Sequence, residues 1–188
     1  DHLGVKLYST IPPMIAELVA NAWDADAENV DISLIDIQGK SIIVKDDGIG
    51  MSFDDLNNHF LKIGRNRRKD THSSQTRKKR CILGKKGLGK LSVFGIGKVV
   101  TITTIKDGLK NQFCMKYDDM KANTSNIYTP SILAHDEPSQ EHSGTEIKLE
   151  DIRRSSNFDA NNIVENLSKR FTIFSDEFKV AVKRNDEI

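Results

Sequence analysis

Asp46-Asp47-Gly48-Ile49-Gly50-Met51 is the stretch from which the fold is read. A short strand-like run, Ser41 to Lys45, precedes it, and Ser52, with Asp54 and Asp55, follows it. A serine followed by acids is the usual opening of a helix, because the hydroxyl and the carboxylates answer the free N–H groups of the first turn. Two glycines two residues apart let the backbone bend sharply and approach a neighbouring group closely. A carboxylate at the end of the strand is placed to accept a hydrogen bond from an exocyclic amine. An Asp-Gly hairpin turn accounts for the same residues equally well. The hexapeptide alone leaves both readings open.

Upstream, Gln38-Gly39 is a turn signal between Val30–Ile35 and Ser41–Lys45, so a β-hairpin is expected there. Before it, Ser9-Thr10-Ile11-Pro12-Pro13 reads as a helix start, with the prolines in the first turn. From Met14 to Ala25 the spacing predicts a helix whose face of Ile15, Leu18, Val19 and Ala22 is apolar. Glu17, Asn21 and Asp24 fall on one stripe of that helix. An amide oxygen there suits a hard cation such as Mg²⁺, and a carboxylate beside it suits activation of a water. An amphipathic helix with a solvated polar face produces the same pattern.

Downstream, a second helix is expected from Ser52 toward Ile63, then a long loop over residues 64–86. Gly84-Lys85-Lys86-Gly87-Leu88-Gly89-Lys90 follows, feeding a short helix to about Gly95. Its G-x-x-G-x-G spacing at a helix start offers N–H groups to phosphate, yet it is neither a Walker A loop nor a dinucleotide fingerprint. Strands are predicted over 98–106, 111–118, 126–133, 144–149 and 178–182, with a helix over 161–171. Gly144-Thr145-Glu146-Ile147 opens one of these strands. Helices and strands mix without regular βαβ alternation. The class is therefore α+β, a single domain over residues 1–188.

Composition removes other classes. With 37% hydrophobic residues and a mean hydropathy of −0.46, nothing approaches the ~18 apolar residues of a membrane span. Cys81 and Cys114 have no metal spacing and form no disulfide framework, which fits reduced thiols in a cytoplasmic protein. The net charge of +1 conceals a division. Residues 62–90 hold 12 Lys and Arg against one acid, Asp70, and the remainder of the chain is acidic. Such a segment favours an anionic partner.

Taken in order, Glu17-x-x-x-Asn21-Ala22-x-Asp24-Ala25, Asp46-x-Gly48-x-Gly50, Gly84-x-x-Gly87-x-Gly89 and Gly144-Thr145 closely resemble the GHKL ATPase superfamily. Gyrase-type subunits, Hsp90-type chaperones, MutL, MORC proteins and histidine kinases belong to it, and the resemblance spans Leu3 to Leu149. It implies a Bergerat fold, a two-layer α/β sandwich with helices on one face of a mixed, mostly antiparallel sheet. It further implies that Glu17 is the general base and Asn21 the Mg²⁺ ligand. Asp46 would receive the adenine amino group, aided by Thr145, and Gly48, Gly50 and Met51 would line the loop beside the base. Gly84, Gly87, Leu88, Gly89 and Lys90 would serve the phosphates; Asp24 would support its neighbours.

Histidine kinases usually carry Asn where Glu17 stands, so a carboxylate there points to water as the acceptor. The five histidines, His2, His59, His72, His135 and His142, are scattered and mark no phospho-acceptor hairpin. The expected activity is slow Mg²⁺-dependent ATP hydrolysis, with residues 64–86 as a lid and ATP driving two copies together. A histidine-kinase-like phosphotransferase and a non-hydrolysing nucleotide switch are the alternatives. The basic 62–90 segment suits triphosphate or nucleic acid; it has no aromatic residue between Arg65 and Lys90 on which bases would stack. A chain that opens at Asp1 and ends at Ile188, soon after the motifs, is expected to be the N-terminal part of a longer protein, binding nucleotide well but turning it over poorly alone.

Overall fold

The computed structural model describes residues 11–37, 39–57, 75–83, 93–122, 129–152, 154–171 and 173–185. Helix α1 spans Ile11–Asp24. Pro12 and Pro13 lie in its first turn, where a missing N–H costs nothing. Its buried side chains, Ile11, Met14, Ile15, Ala16, Leu18, Val19, Ala20 and Ala22, reach round most of the helix. The amphipathic pattern is thus wider than the sequence suggests, and Glu17, Asn21 and Asp24 are partly buried rather than on a solvated face. The helix stops because Asp26 adopts φ 60°. Asp26 N–H then reaches Trp23 O at 3.0 Å and Ala27 N–H reaches Ala22 O at 3.1 Å, satisfying the last carbonyls.

Strands β1 (Asn29–Ile35) and β2 (Ser41–Asp46) form the predicted hairpin. A short helix α2 (Phe53–Asp55) is the described start of the second predicted helix; Ser52 accepts from Asp55 N–H and the Asp55 carboxylate accepts from Ser52 N–H. After a 3₁₀ turn at Val93–Gly95 come β3 (Gly97–Lys106), β4 (Leu109–Lys116), helix α3 (Tyr117–Ala122), β5 (Ser131–Pro138) and β6 (Gly144–Ile152). Helix α4 (Ala160–Arg170) and β7 (Lys179–Arg184) complete the order. The seven strands form one sheet, β5-β4-β3-β6-β2-β1-β7, in which only β1 and β7 run parallel.

One face of the sheet makes the core. Strand alternation sends Val30, Ile32 and Leu34, then Ile42 and Val44, Val100 and Ile102, Phe113 and Met115, and Ile147 and Leu149 to that face, where α1 and the Ile163 and Leu167 side of α4 cover them. The α+β two-layer sandwich expected from the sequence is the architecture observed. Two elements differ. The strand predicted over 111–118 ends at Lys116, because Tyr117-Asp118-Asp119 opens α3 with acids in its first turn. The strand predicted over 126–133 lies at 131–138; it is an edge strand that buries only Ala134, so period-two patterning is nearly silent.

One buried carboxylate fastens the end of the sheet. The Asp36 side chain is 5% exposed and accepts from Lys40 Nζ at 2.6 Å and Arg184 Nε at 2.8 Å. It also accepts from Phe158 N–H at 3.1 Å, which joins β1, β2, β7 and the approach to α4. Burial opposes its ionisation, but Lys40, Arg184 and the Phe158 N–H together hold it below the usual carboxylate range. Asp36→Ala is expected to destabilise the fold by about 2–4 kcal/mol, since it strands two cations and an N–H. A shifted urea midpoint with an unchanged slope would register that loss.

Candidate functional site

The inward rows of the sheet change character at one end. Across the strands, Val30 faces Asp46, Asp46 faces Thr145, Thr145 faces Thr104 and Thr104 faces Asn111. The rows behind are apolar, with Ile32, Val44, Ile147, Ile102 and Phe113 in register. At the sheet's end the pleat therefore presents an acid, two hydroxyls and an amide where deeper rows present methyl groups. Asn111 is satisfied by Asp136, to whose carboxylate it donates at 3.0 Å. Thr104 accepts from Met51 N–H at 2.8 Å, donates to Gly144 O at 3.1 Å and lies 3.3 Å from the Thr145 hydroxyl.

Residues 46–51 fold back over this row. Gly48 N–H donates to Asp46 Oδ1 at 2.9 Å and Ile49 N–H to Ala25 O at 2.9 Å. Gly50 has φ +66°, and a Cβ there would meet Ile105 O at 2.0 Å, so the chain can pass only without a side chain. A Cβ on Gly48 would meet Ala25 O at 2.7 Å. Asp47 points elsewhere, accepting from Glu28 N–H at 2.7 Å, Asn29 N–H at 2.8 Å and Asn29 Nδ2 at 2.7 Å. It ties β2 to the start of β1. Against the cost of partial burial, these donors keep its carboxyl below the usual range. The Asp-Gly pair is thus not a hairpin turn between strands; it crosses to the end of α1.

Between this loop, the polar row and α1 lies a cavity of about 190 Å³, lined by Leu18, Asn21, Asp24, Ala25, Val44, Asp46, Ile49, Gly50, Met51, Thr145 and Ile147. Most of the wall is apolar, with Asp46, Thr145, Asn21 and Asp24 as its polar points. Burial pushes the Asp46 carboxyl up to about 6, against hydrogen bonds from the N–H groups of Gly48 and Thr145 and with Asp47 adding repulsion. At pH 7 it remains mostly ionised, a hydrogen-bond acceptor in the wall of a largely apolar slot. Such a slot suits a flat heterocycle carrying an N–H donor.

The predicted site residues fall into three groups. Asn21, Asp46, Gly50, Met51 and Thr145 line the cavity, as does Asp24, while Gly48 supports the loop from behind. Glu17 is partly buried one helical turn before Asn21 and is not part of the cavity wall. Gly84, Gly87, Leu88, Gly89 and Lys90 lie outside the described residues. Of the 64–86 loop, residues 75–83 are described, and they are docked on α1: Leu83 N–H donates to Asp24 Oδ1 at 2.8 Å and Trp23 Nε1 to Cys81 O at 2.9 Å.

The sequence pattern described as "Histidine kinase-, DNA gyrase B-, and HSP90-like ATPase" matches residues 8–145, a span that takes in α1, the 46–51 loop and the start of β6. The chain belongs to this ATPase family. A Herpetosiphon aurantiacus protein designated, by name only, as the type II restriction enzyme HgiDII is 37% identical over 99% of the chain and 30% of its own length. The ATPase morc-1 of Caenorhabditis elegans is 30% identical over 69% of the chain and 15% of its own length. The chaperone protein HtpG of Borrelia garinii subsp. bavariensis is 30% identical over 77% of the chain and 25% of its own length. The chain spans less than a third of each of these relatives.

In this GHKL ATPase domain two contributors were not singled out from the sequence. Thr104 was legible in principle: it continues the Val100, Ile102 parity of β3, so a hydroxyl had to face inward. Asp26 was not, because the groups its carboxylate accepts from, the Thr76 hydroxyl and the Lys78 N–H, lie 50 and 52 residues further along the chain.

Asp46 makes a prediction about pH. Its folded-state value is raised from 3.8 to about 6, so the native state holds a proton that the unfolded chain has released. Unliganded stability should therefore fall between about pH 4 and 6 by up to about 3 kcal/mol from this group. Asp46→Asn is expected to lack that step and to be at least as stable as wild type at pH 8. Paired urea denaturation curves at pH 4.5 and 8 would expose the difference; a parallel decline in both proteins would refute it.

Proposed function

We propose that the domain binds ATP with its adenine in the 190 Å³ cavity and hydrolyses it slowly with Mg²⁺. The observation that carries this reading is that Asp46 and Thr145, paired across β2 and β6, line one largely apolar cavity together with Asn21 and Asp24. Asp46 accepts a hydrogen bond from the exocyclic amine of adenine. Thr145 stands beside it, and Leu18, Val44, Ile49, Met51 and Ile147 cover the ring faces.

Among the described residues no three metal-ligating side chains cluster. A Mg²⁺ ion would therefore be held by the Asn21 amide oxygen together with phosphate oxygens and water, the coordination that this small, strongly hydrated ion favours. When bound it supplies charge neutralisation for the phosphates. Glu17, on the same stripe of α1, takes the proton from the attacking water. Gly84, Gly87, Leu88, Gly89 and Lys90 serve the phosphates, and residues 64–86 form the lid within a single domain. Nucleotide-dependent pairing of two copies in a longer protein is part of the proposal, supported by family membership. The 37% identity to the protein designated HgiDII, extending over 99% of the chain, supports DNA restriction as the setting.

Glu17→Ala is expected to lower Mg²⁺-dependent ATP turnover by about 100-fold or more, the contribution of a positioned general base. ATP affinity by calorimetry should change little. Unaltered turnover in that variant would remove Glu17 from the mechanism. Asp46→Asn should show the converse, with adenine-nucleotide affinity largely lost; full calorimetric binding by that variant would move the base out of the cavity.

A further inference from the structure

Thr104 lies on β3 with 1% of its surface exposed, in the same inward row as Asp46 and Thr145. It is not part of the cavity wall, yet its hydroxyl is bonded to the residues that build that wall. Met51 N–H donates to it at 2.8 Å, Gly144 O lies 3.1 Å away, and the Thr145 hydroxyl oxygen lies 3.3 Å away. Met51 and Thr145 line the cavity, and Gly144 is the residue before Thr145. Thr104 thus stands behind both the 46–51 loop and the start of β6.

The direction of these three bonds follows from the chemistry of the partners. A hydroxyl has one proton to donate and two lone pairs with which to accept. An N–H such as that of Met51 only donates, and a carbonyl such as that of Gly144 only accepts. The Thr104 proton is therefore committed to Gly144 O, and one lone pair is committed to Met51 N–H. The contact with Thr145 can then run in one direction alone. Thr145 donates its proton, and the second lone pair of Thr104 accepts it.

With its proton held inside the sheet, the Thr145 hydroxyl offers the cavity lone pairs only. Asp46, directly across from it on β2, is mostly ionised at pH 7 and also accepts. The two polar side chains at this end of the slot therefore form an acceptor pair. An exocyclic amine brings two N–H bonds to such a pair, whereas a 6-oxo group sets lone pairs against lone pairs. Polar groups that are buried without a partner cost more than a matched bond gains. The direction of one proton can thereby separate two bases of nearly the same shape.

We infer that Thr104 is a positioning residue for base selectivity: without touching ligand, it fixes the Thr145 hydroxyl as an acceptor and so favours a 6-aminopurine over a 6-oxopurine. The inference rests on the base-pocket reading above. Its bond from Met51 N–H has a separate effect, since it holds the loop that covers either base. Loss of that bond weakens both kinds of purine by the same factor. Loss of the acceptor for Thr145 frees a proton that a 6-oxo group can receive, and this alone moves the ratio of the two affinities.

The test is the preference of the 188-residue chain for ADP over IDP at pH 8, by calorimetry, with IDP titrated in competition with ADP. Thr104→Val should weaken ADP and lower the ADP-to-IDP preference by roughly fivefold to tenfold, the worth of one hydrogen bond. Thr104→Ser, which keeps the hydroxyl, should restore the wild-type preference. A merely structural threonine would lower the urea midpoint, or weaken both nucleotides alike, and leave the preference where it was; that result in Thr104→Val overturns the inference. In a Thr145→Val background there is no hydroxyl to orient, so Thr104→Val should leave the preference unchanged, and a further fall there overturns the assigned route. If Thr104→Val does not fold, Thr104→Cys supplies a weaker acceptor of similar size, with a smaller fall expected and an unchanged preference again overturning the inference. A wild-type chain that binds neither nucleotide fails at the base-pocket reading itself and takes the role of Thr104 with it.

Discussion

The register that sets Asp46 opposite Thr145, and Thr145 opposite Thr104, is the constraint on which the site depends. In a sheet with one covered face, a slip of one residue moves every side chain to the other face. Here the apolar rows of Ile32, Val44, Ile147 and Ile102 forbid such a slip, because it would turn them to solvent. The core thereby fixes the polar row as a by-product. No separate interaction has to aim Asp46 into the cavity; burial of the isoleucines and valines behind it does so.

Four aspartates show how surroundings divide roles within one fold. Asp36, Asp47 and Asp55 are all held below the usual carboxylate range despite partial burial, each by donors that the fold supplies. For Asp55 those are Lys106 at 2.7 Å and the Ser52 N–H and hydroxyl, and they take it to about 2. Asp46 is the exception. Its burial outweighs two backbone N–H bonds and leaves it near 6. The other three are joints between elements, whereas Asp46 lines the cavity.

Much of this was legible in the sequence, for identifiable reasons. Period-two and period-3.6 patterns gave α1, both strands of the first hairpin, β3, β6 and α4 because these elements have one buried face. The glycines at 48 and 50 were legible because tight passage past Ala25 and Ile105 leaves no room for a side chain. Edge strand β5, with a single buried residue, left no such trace, and α3 was obscured by the strand-like run before it. The docking of 75–83 had no local signature: its partners, Asp26, Glu28 and Glu177, are remote in sequence, and their bonds arise only from the folded arrangement.

That last point revises the meaning of the charge asymmetry. Residues 62–90 read as one cationic block when charges are counted along the chain. In space, at least part of the block is already answered. Lys78 faces Glu28, Arg80 is occupied by two carbonyls and two aromatic rings, and the Lys78 N–H meets Asp26. The cationic excess available to a triphosphate or to nucleic acid is therefore smaller than the sequence count, and the acidic remainder of the chain is part of the reason. A charge run acts on distant partners only to the extent that the body of the protein has left it uncompensated. In this fold the body uses some of that run to hold the turn between α1 and β1 in place, beside the cavity wall formed by Asp24 and Ala25.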